Sequence, residues 1–252
     1  MSTIVVCSGK GSPGATFVAT NLAAALARTG EEAVLLDLDP AGGDLCCYLG
    51  LDPRRGLYPL LRMEGKIGGP ARLLAEAEER SGFRVVGGFP GSTDLASGQA
   101  LGEALATATA SGRIVVADIG RVSETNAAVA ARGDLVLLVV RADLVSVLGA
   151  QRALRQLEAG GTSRDRIVAV VAGHERRRPA DLPEVREALR LPVLGAVPLD
   201  RRGARKALVS QRPAGTRRLR RAFDALAATA RRALADGGAA ETPAPELSEV
   251  RV

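Results

Sequence analysis

Seven short runs of consecutive apolar residues punctuate the chain, at Thr3–Cys7, Ala33–Asp37, Arg84–Val86, Arg113–Ala117, Leu135–Val140, Ile167–Val171 and Val193–Val197. Apolar side chains fill successive positions rather than every other one, so each run is expected to be buried on both faces. That is the habit of strands in a parallel sheet covered by helices. Between the runs, apolar residues at helical spacing predict helices over Phe17–Thr29, Pro70–Ser81, Ser97–Ala110, Leu148–Ala159, Leu182–Leu189 and Arg217–Ala235. The alternation predicts an α/β fold: a doubly wound, mostly parallel sheet of seven to eight strands with helices on both faces.

Residues 1–236 are expected to form one domain. The stretch 237–252, glycine at its start and then proline, glutamate and few apolar residues, is expected to be a disordered tail. In the last helix Leu219, Phe223, Leu226, Ala230, Ala233 and Leu234 share one stripe, with arginines around the rest, which reads as a core-packing helix rather than a lipid anchor.

Composition sharpens this picture. Hydrophobic residues make up 46% of the chain but aromatics only 2%, so the core must be built from Ala, Val and Leu. Every basic residue other than Lys10, Lys66 and Lys206 is arginine, and the net charge is +6. That charge reads either as compositional bias or as affinity for an acidic partner such as DNA or anionic lipid. Cys7, Cys46 and Cys47 make no disulfide framework and His174 completes no zinc-ligand spacing, which points to a reduced, cytoplasmic setting. Cys46 and Cys47 are expected as small buried residues on the helix after the second strand, and His174, beside Glu175 and Arg176–Arg178, as part of a solvated loop. The chain holds no apolar stretch long enough to cross a bilayer.

In an open parallel sheet ligands gather beyond the carboxyl ends of the strands, so the loop after the first strand is where chemistry is sought. It reads Gly9, Lys10, Gly11, Ser12, Pro13, Gly14, Ala15, Thr16 and runs directly into the helix at Phe17. Glycines let successive N–H groups turn inward toward phosphate oxygens, the helix adds its positive end, and Thr16 stands where a hydroxyl binds Mg²⁺. The general phosphate loop requires Gly, four residues, Gly, Lys and Ser or Thr, which fits only with Ala15 in the place of lysine. The alternative is a glycine-rich turn that binds nothing.

The loop resembles the deviant Walker A segment of ParA and MinD ATPases: Lys, Gly, Gly, x, Gly, Lys, Thr. Lys10 matches the early signature lysine, and the resemblance implies that it reaches the phosphates of a partner subunit in a nucleotide-dependent homodimer. Ala15 falls on the second lysine and Ser12 on a glycine. Loss of the second lysine with retention of the first is similar to the CpaE/TadZ branch of pilus-assembly localisation factors.

The likeness continues at Asp37, Leu38, Asp39, Pro40, similar to switch I, where Asp39 matches the acid that orients water and Mg²⁺. It runs on at Gly43, Asp44, Leu45, and at Ile114–Gly120, which resembles Walker B and switch II, with Asp118 holding Mg²⁺ through water. Asp37 reads equally as a capping and as a functional acid. Pro198 and Asp200 fall near the expected base pocket. Where relatives carry Asn for the adenine edge, this chain has Ala172, Gly173 and His174, so the choice between adenine and guanine stays open.

The resemblance therefore implies ATP and Mg²⁺ as cofactors. Phosphate and nucleotide contacts are expected from Lys10, Gly11, Ser12, Pro13, Gly14, Ala15, Thr16, Phe17, Pro198 and Asp200, catalytic roles from Asp39 and Lys10, and metal contacts from Thr16, Asp39 and Asp118. It implies a localisation or scaffold protein with weak or absent hydrolysis and a protein partner in a localised machinery. An active partitioning or division-site ATPase and an interaction module with an empty site are the alternatives. Nonspecific DNA contact through Arg201, Arg202, Arg205 and Lys206 with the last-helix arginines, polar placement and peripheral membrane contact are secondary expectations.

Overall fold

The computed structural model describes residues 2–11, 14–89, 91, 94–175 and 181–237. Eight strands, β1 (Thr3–Ser8), β2 (Ala33–Asp37), β3 (Glu78–Arg80), β4 (Phe83–Val86), β5 (Ile114–Arg121), β6 (Leu135–Val140), β7 (Ile167–His174) and β8 (Val193–Pro198), form one sheet. The order is β3-β4-β2-β5-β1-β6-β7-β8, with every neighbouring pair parallel except β3 against β4. The expected doubly wound sheet is thus present.

Ten helices connect the strands among the described residues: α1 (Ala15–Arg28), α2 (Leu45–Leu49), α3 (Leu57–Glu64), α4 (Pro70–Ala75), α5 (Gly98–Thr109), α6 (Glu124–Ala130), α7 (Leu144–Ala159), α8 (Asp181–Leu189), α9 (Arg201–Ser210) and α10 (Arg217–Ala235). Successive side chains of a strand point to opposite faces, and here both faces are covered. Ile4 and Val6 of β1 join a core with α1, α2 and α10, while Val5 and Cys7 join a second core with α3 to α8. The buried set is dominated by Ala, Val and Leu, as the scarcity of aromatics requires. On α10 the stripe from Leu219 to Ala233 is buried with its arginines outward, so the helix closes the core beside β8 and α1.

Three expectations are corrected. The predicted helix over Pro70–Ser81 stops at Ala75, and Glu78–Arg80 forms an antiparallel edge strand instead. Ser81 and Gly82, at φ 52° and 87°, make the two-residue hairpin that folds it onto β4. The edge is short and charged, which discourages pairing with another chain and also hides it from hydrophobic periodicity. Cys47 is exposed and Cys46 only half-buried, because α2 turns Leu45 and Leu49 inward. His174 is 6% exposed, since β7 runs on beyond its apolar stretch and pairs His174 with Pro198. The predicted tail lies, beyond Gly237, outside the described residues, as do Arg176–Arg178.

Candidate phosphate and metal site

β1, β2 and β5 lie side by side, so the loops leaving their carboxyl ends open at one place. Gly9 begins the first of these loops pressed onto α7: a β-carbon there would stand 2.2 Å from the Gly149 carbonyl carbon. The Ser8 hydroxyl donates to the Lys10 carbonyl at 3.0 Å and lies 3.4 Å from the Gly120 carbonyl, tying the loop to the end of β5. Gly11 is exposed, with open space where a side chain would stand. Gly14, at φ 101°, is the N-cap of α1 and turns the chain so that the helix starts at Ala15, two residues before the sequence predicts. That conformation favours glycine. The loop's fourth and fifth residues, Ser12 and Pro13, lie outside the described residues.

The first turn of α1 carries no acidic residue, leaving its N–H groups open to an anion. Ala15 is buried, and its methyl joins the core formed with α1. Thr16 follows it, half-buried, with its hydroxyl close enough to the Asp118 carboxylate to favour its charged form. Phe17 points into apolar surroundings, its ring edge-on to Tyr48 at 6.4 Å and to Phe223 at 5.7 Å.

Carboxylates crowd opposite this helix end. Asp118 is buried, and its Oδ1 accepts the Gly120 N–H at 3.0 Å. Burial pushes its carboxyl up to about 6, with Asp39 and Asp44 adding to the rise while Thr16 and the Gly120 N–H oppose it. Asp39 is half-buried, accepts the Ala41 N–H at 2.9 Å, and is raised by burial and by Asp44, with Arg121 pulling the other way. Asp37 is fully buried against Gly43 and Gly88, accepts the Asp39 N–H at 3.2 Å, and is driven well above the carboxylate range by burial and then by Asp118. Glycine is required at Gly43, where a β-carbon would stand 1.9 Å from Oδ2 of Asp37.

Among the described residues no cluster of three or more His, Cys, Asp or Glu holds a metal unaided. The donor set fits one hard cation all the same. Mg²⁺ takes one or two protein oxygens and fills its octahedron with phosphate oxygens and water. The Thr16 hydroxyl and the Asp118 and Asp39 carboxylates supply oxygens of that kind, and their mutual repulsion is what a cation relieves.

The structure therefore brings Lys10, Gly11, Gly14, Ala15, Thr16, Asp39 and Asp118 together. Pro198 and Asp200 stand elsewhere, at the end of β8 and three strands from β1. The Asp200 carboxylate accepts the Gly203 N–H at 2.7 Å and the Thr216 hydroxyl at 2.8 Å, thereby capping α9. The sequence reading passed over Asn126, a buried residue whose amide donates to the carbonyls of Ile119 at 2.7 Å and Arg121 at 2.9 Å and accepts the Ser123 N–H at 2.8 Å. The spacing Ser123-x-x-Asn126 at a helix start is the legible trace of that clamp.

The family model described as the CobQ/CobB/MinD/ParA nucleotide binding domain matches residues 4–213. Two curated relatives are similar over shorter spans. The chromosome-partitioning ATPase Soj of Thermus thermophilus is 46% identical over 61 residues, 24% of each chain. The septum site-determining protein MinD of Synechocystis is 51% identical over 51 residues, 20% of this chain and 19% of that one. The chain thus aligns with about a quarter or less of these relatives' length.

Among solved structures, a ParA family ATPase from Chlorobium tepidum superposes with TM-score 0.76 at 18% identity, covering 90% of this chain and 98% of the other. MinD of Pyrococcus horikoshii, solved with Mg-ADP, superposes with TM-score 0.74 at 20% identity, covering 95% and 99%. At such identities the superpositions establish the fold. With the family model spanning the sheet from β1 to the end of α9, the chain belongs to the CobQ/CobB/MinD/ParA family of nucleotide-binding domains.

Proposed function

We propose that the chain binds ATP with Mg²⁺ and acts as a nucleotide-dependent dimeric localisation or scaffold protein of the ParA/MinD type, nearest the CpaE/TadZ branch, with weak or absent hydrolysis. The observation that carries this reading is the meeting of the Thr16 hydroxyl with the Asp118 carboxylate at the foot of α1, beside Asp39 and under a glycine-rich loop. Thr16 and Asp118 would hold the metal with Asp39 nearby, and the bound cation would neutralise charge on the phosphates. Gly11, Ser12, Gly14 and Ala15 would offer backbone N–H groups, with Pro13, which has none, between them in the loop, and Lys10 would serve the partner's phosphates, as in a deviant Walker A loop. Phe17, and Pro198 and Asp200 from the end of β8, are proposed to lie toward the rest of the nucleotide.

Weak hydrolysis follows from Ala15, whose buried methyl replaces a cation beside the transferred group, and phosphoryl transfer depends on such charge stabilisation. Titration calorimetry with Mg-ATP tests the reading: saturable binding is expected, and no saturation at millimolar ATP would overturn it. Sedimentation with and without ATP tests assembly, with Lys10→Ala expected to lose the ATP-dependent dimer. The local likeness to a partitioning ATPase favours a second reading, an active ATPase, and steady turnover on the order of 1 per second would decide for it.

A further inference from the structure

The cation missing at position 15 has a candidate replacement on a different strand. β5 pairs with β1 so that Val6 faces Asp118 but Ser8 faces Arg121: three steps along β5 match two along β1. The extra residue is taken up at Gly120, whose φ of 62° suits glycine. Such a bulge re-aims the residue that follows it. Arg121 is thereby set directly beside the start of the glycine-rich loop.

Its main chain is anchored there on both sides. The Ser8 hydroxyl reaches the carbonyl of Gly120, the Val122 N–H donates to the Ser8 carbonyl at 2.9 Å, and Asn126 donates to Arg121's own carbonyl. The side chain, in contrast, is exposed. Among the described residues it enters no side-chain ion pair, and its charge is felt at Asp39, whose carboxylate rests against Gly120. The β-carbon of Lys10 lies close to Gly149 of α7. A fixed backbone with an exposed guanidinium, set beside an anion site that has lost its lysine, is an arrangement by which Arg can grip phosphate oxygens.

We propose that Arg121 is a phosphate-binding residue of this site, supplying in cis the cation that Ala15 cannot and selecting nucleotides that carry a terminal phosphate. Resting on the nucleotide reading above, this adds a residue that the glycine-rich loop does not contain. Asp118 is buried on β5 while the Arg121 side chain is exposed, so Arg121 would reach the phosphate group from the solvent side.

Calorimetry of the full chain with Mg-ATP and Mg-ADP, on the parent, Arg121→Ala, Arg121→Lys and the double variant Ala15→Lys/Arg121→Ala, tests it. Arg121→Ala is expected to weaken ATP about ten- to a hundredfold, the loss of one charge-assisted contact, and ADP by clearly less. Arg121→Lys should keep part of the ATP preference, and Ala15→Lys should restore ATP binding to the Arg121→Ala chain. Thermal midpoints of the apo variants check that each is folded. If Arg121→Ala binds ATP as the parent does, or loses ATP and ADP equally, the assignment fails while the nucleotide reading stands. If the parent binds neither nucleotide, both fail together.

Discussion

The carboxylate of Asp39 rests on the bare backbone of Gly120: a β-carbon there would stand 2.2 Å from Oδ2. The two residues are brought together from β2 and β5, adjacent strands of the sheet, and Gly120 is also held at φ 62°. An L side chain in that conformation costs about 1–2 kcal/mol, and here it also pushes the carboxylate aside. Gly120→Ala is therefore expected to lose about that much stability in urea unfolding, whereas Gly11→Ala, with open space around it, should change stability by less than about 0.5 kcal/mol. Equal effects from the two substitutions would show that Asp39 is not seated on Gly120.

The glycine that opens the loop is under a harder constraint. A β-carbon at Gly9 would meet the Gly149 carbonyl carbon at 2.2 Å and the Ala150 nitrogen at 2.4 Å, backbone atoms of α7 that have no rotamer to yield. Gly9→Ala is expected to destabilise by about 2–3 kcal/mol. The reverse change, Gly149→Ala, meets its nearest atom at 3.1 Å and should cost clearly less. Denaturant midpoints of the two variants compare them directly, and the opposite order would refute this packing of loop on helix.

The two buried acids set a pH dependence of defined sign. Asp118 is raised from 3.8 to about 6, and Asp37 is raised as well, so in the pH range just above 4 the folded chain keeps protons that the unfolded chain has released. Stability from such groups is fully present below the unfolded value and is lost as pH rises through the folded one. For Asp118 the loss amounts to about 3 kcal/mol between pH 4 and 7. Asp118→Asn removes the titration, so its stability in the absence of metal should fall less than the parent's between pH 4.5 and 7.5 in urea titrations. Asp37→Asn should do the same. Parallel pH profiles for parent and variants would mean that the acids are ionised in the folded chain throughout.

Asp200 behaves oppositely. Hydrogen bonds from the Gly203 N–H and the Thr216 hydroxyl hold its carboxyl below the usual range, so its contribution is present above pH 4 and lost as pH falls through the lowered value. It caps α9 and, through Thr216, steadies the start of α10. Asp200→Ala is expected to cost about 1–2 kcal/mol at pH 7 and less at an acid pH below the lowered value, where the parent carboxyl is itself protonated. Thermal melts at the two pH values read this difference, and a loss that stays constant with pH would assign the effect to packing alone.

Much of this fold was legible along the chain because its strands are buried on both faces. Leu135–Val140 is apolar throughout and Ala33–Asp37 up to its closing acid, and the structure begins and ends those strands at the same residues. Arg217–Ala235 carries its buried stripe at helical spacing and ends where predicted. The glycine-rich loop, Asp39 and Asp118 were visible because each sits at the end of a readable strand, and in a parallel sheet such ends converge.

What escaped the sequence was set by pairing between distant segments. Glu78–Arg80 carries charges that suit a helix as well as an edge strand, and only the Ser81–Gly82 hairpin onto β4 decided for the strand. Asp37 looks like any acid at a strand end, yet the chain returns over it at Gly43 and Gly88 and seals it from water. Arg121 stands beside Ser8 because β5 lies next to β1 and one bulge shifts their register. Hydrophobic periodicity records which face of a segment is buried. It carries no information about which segment lies alongside, and that neighbour, supplied by the tertiary structure, decides which carboxylate is sealed from water and which cation reaches the loop.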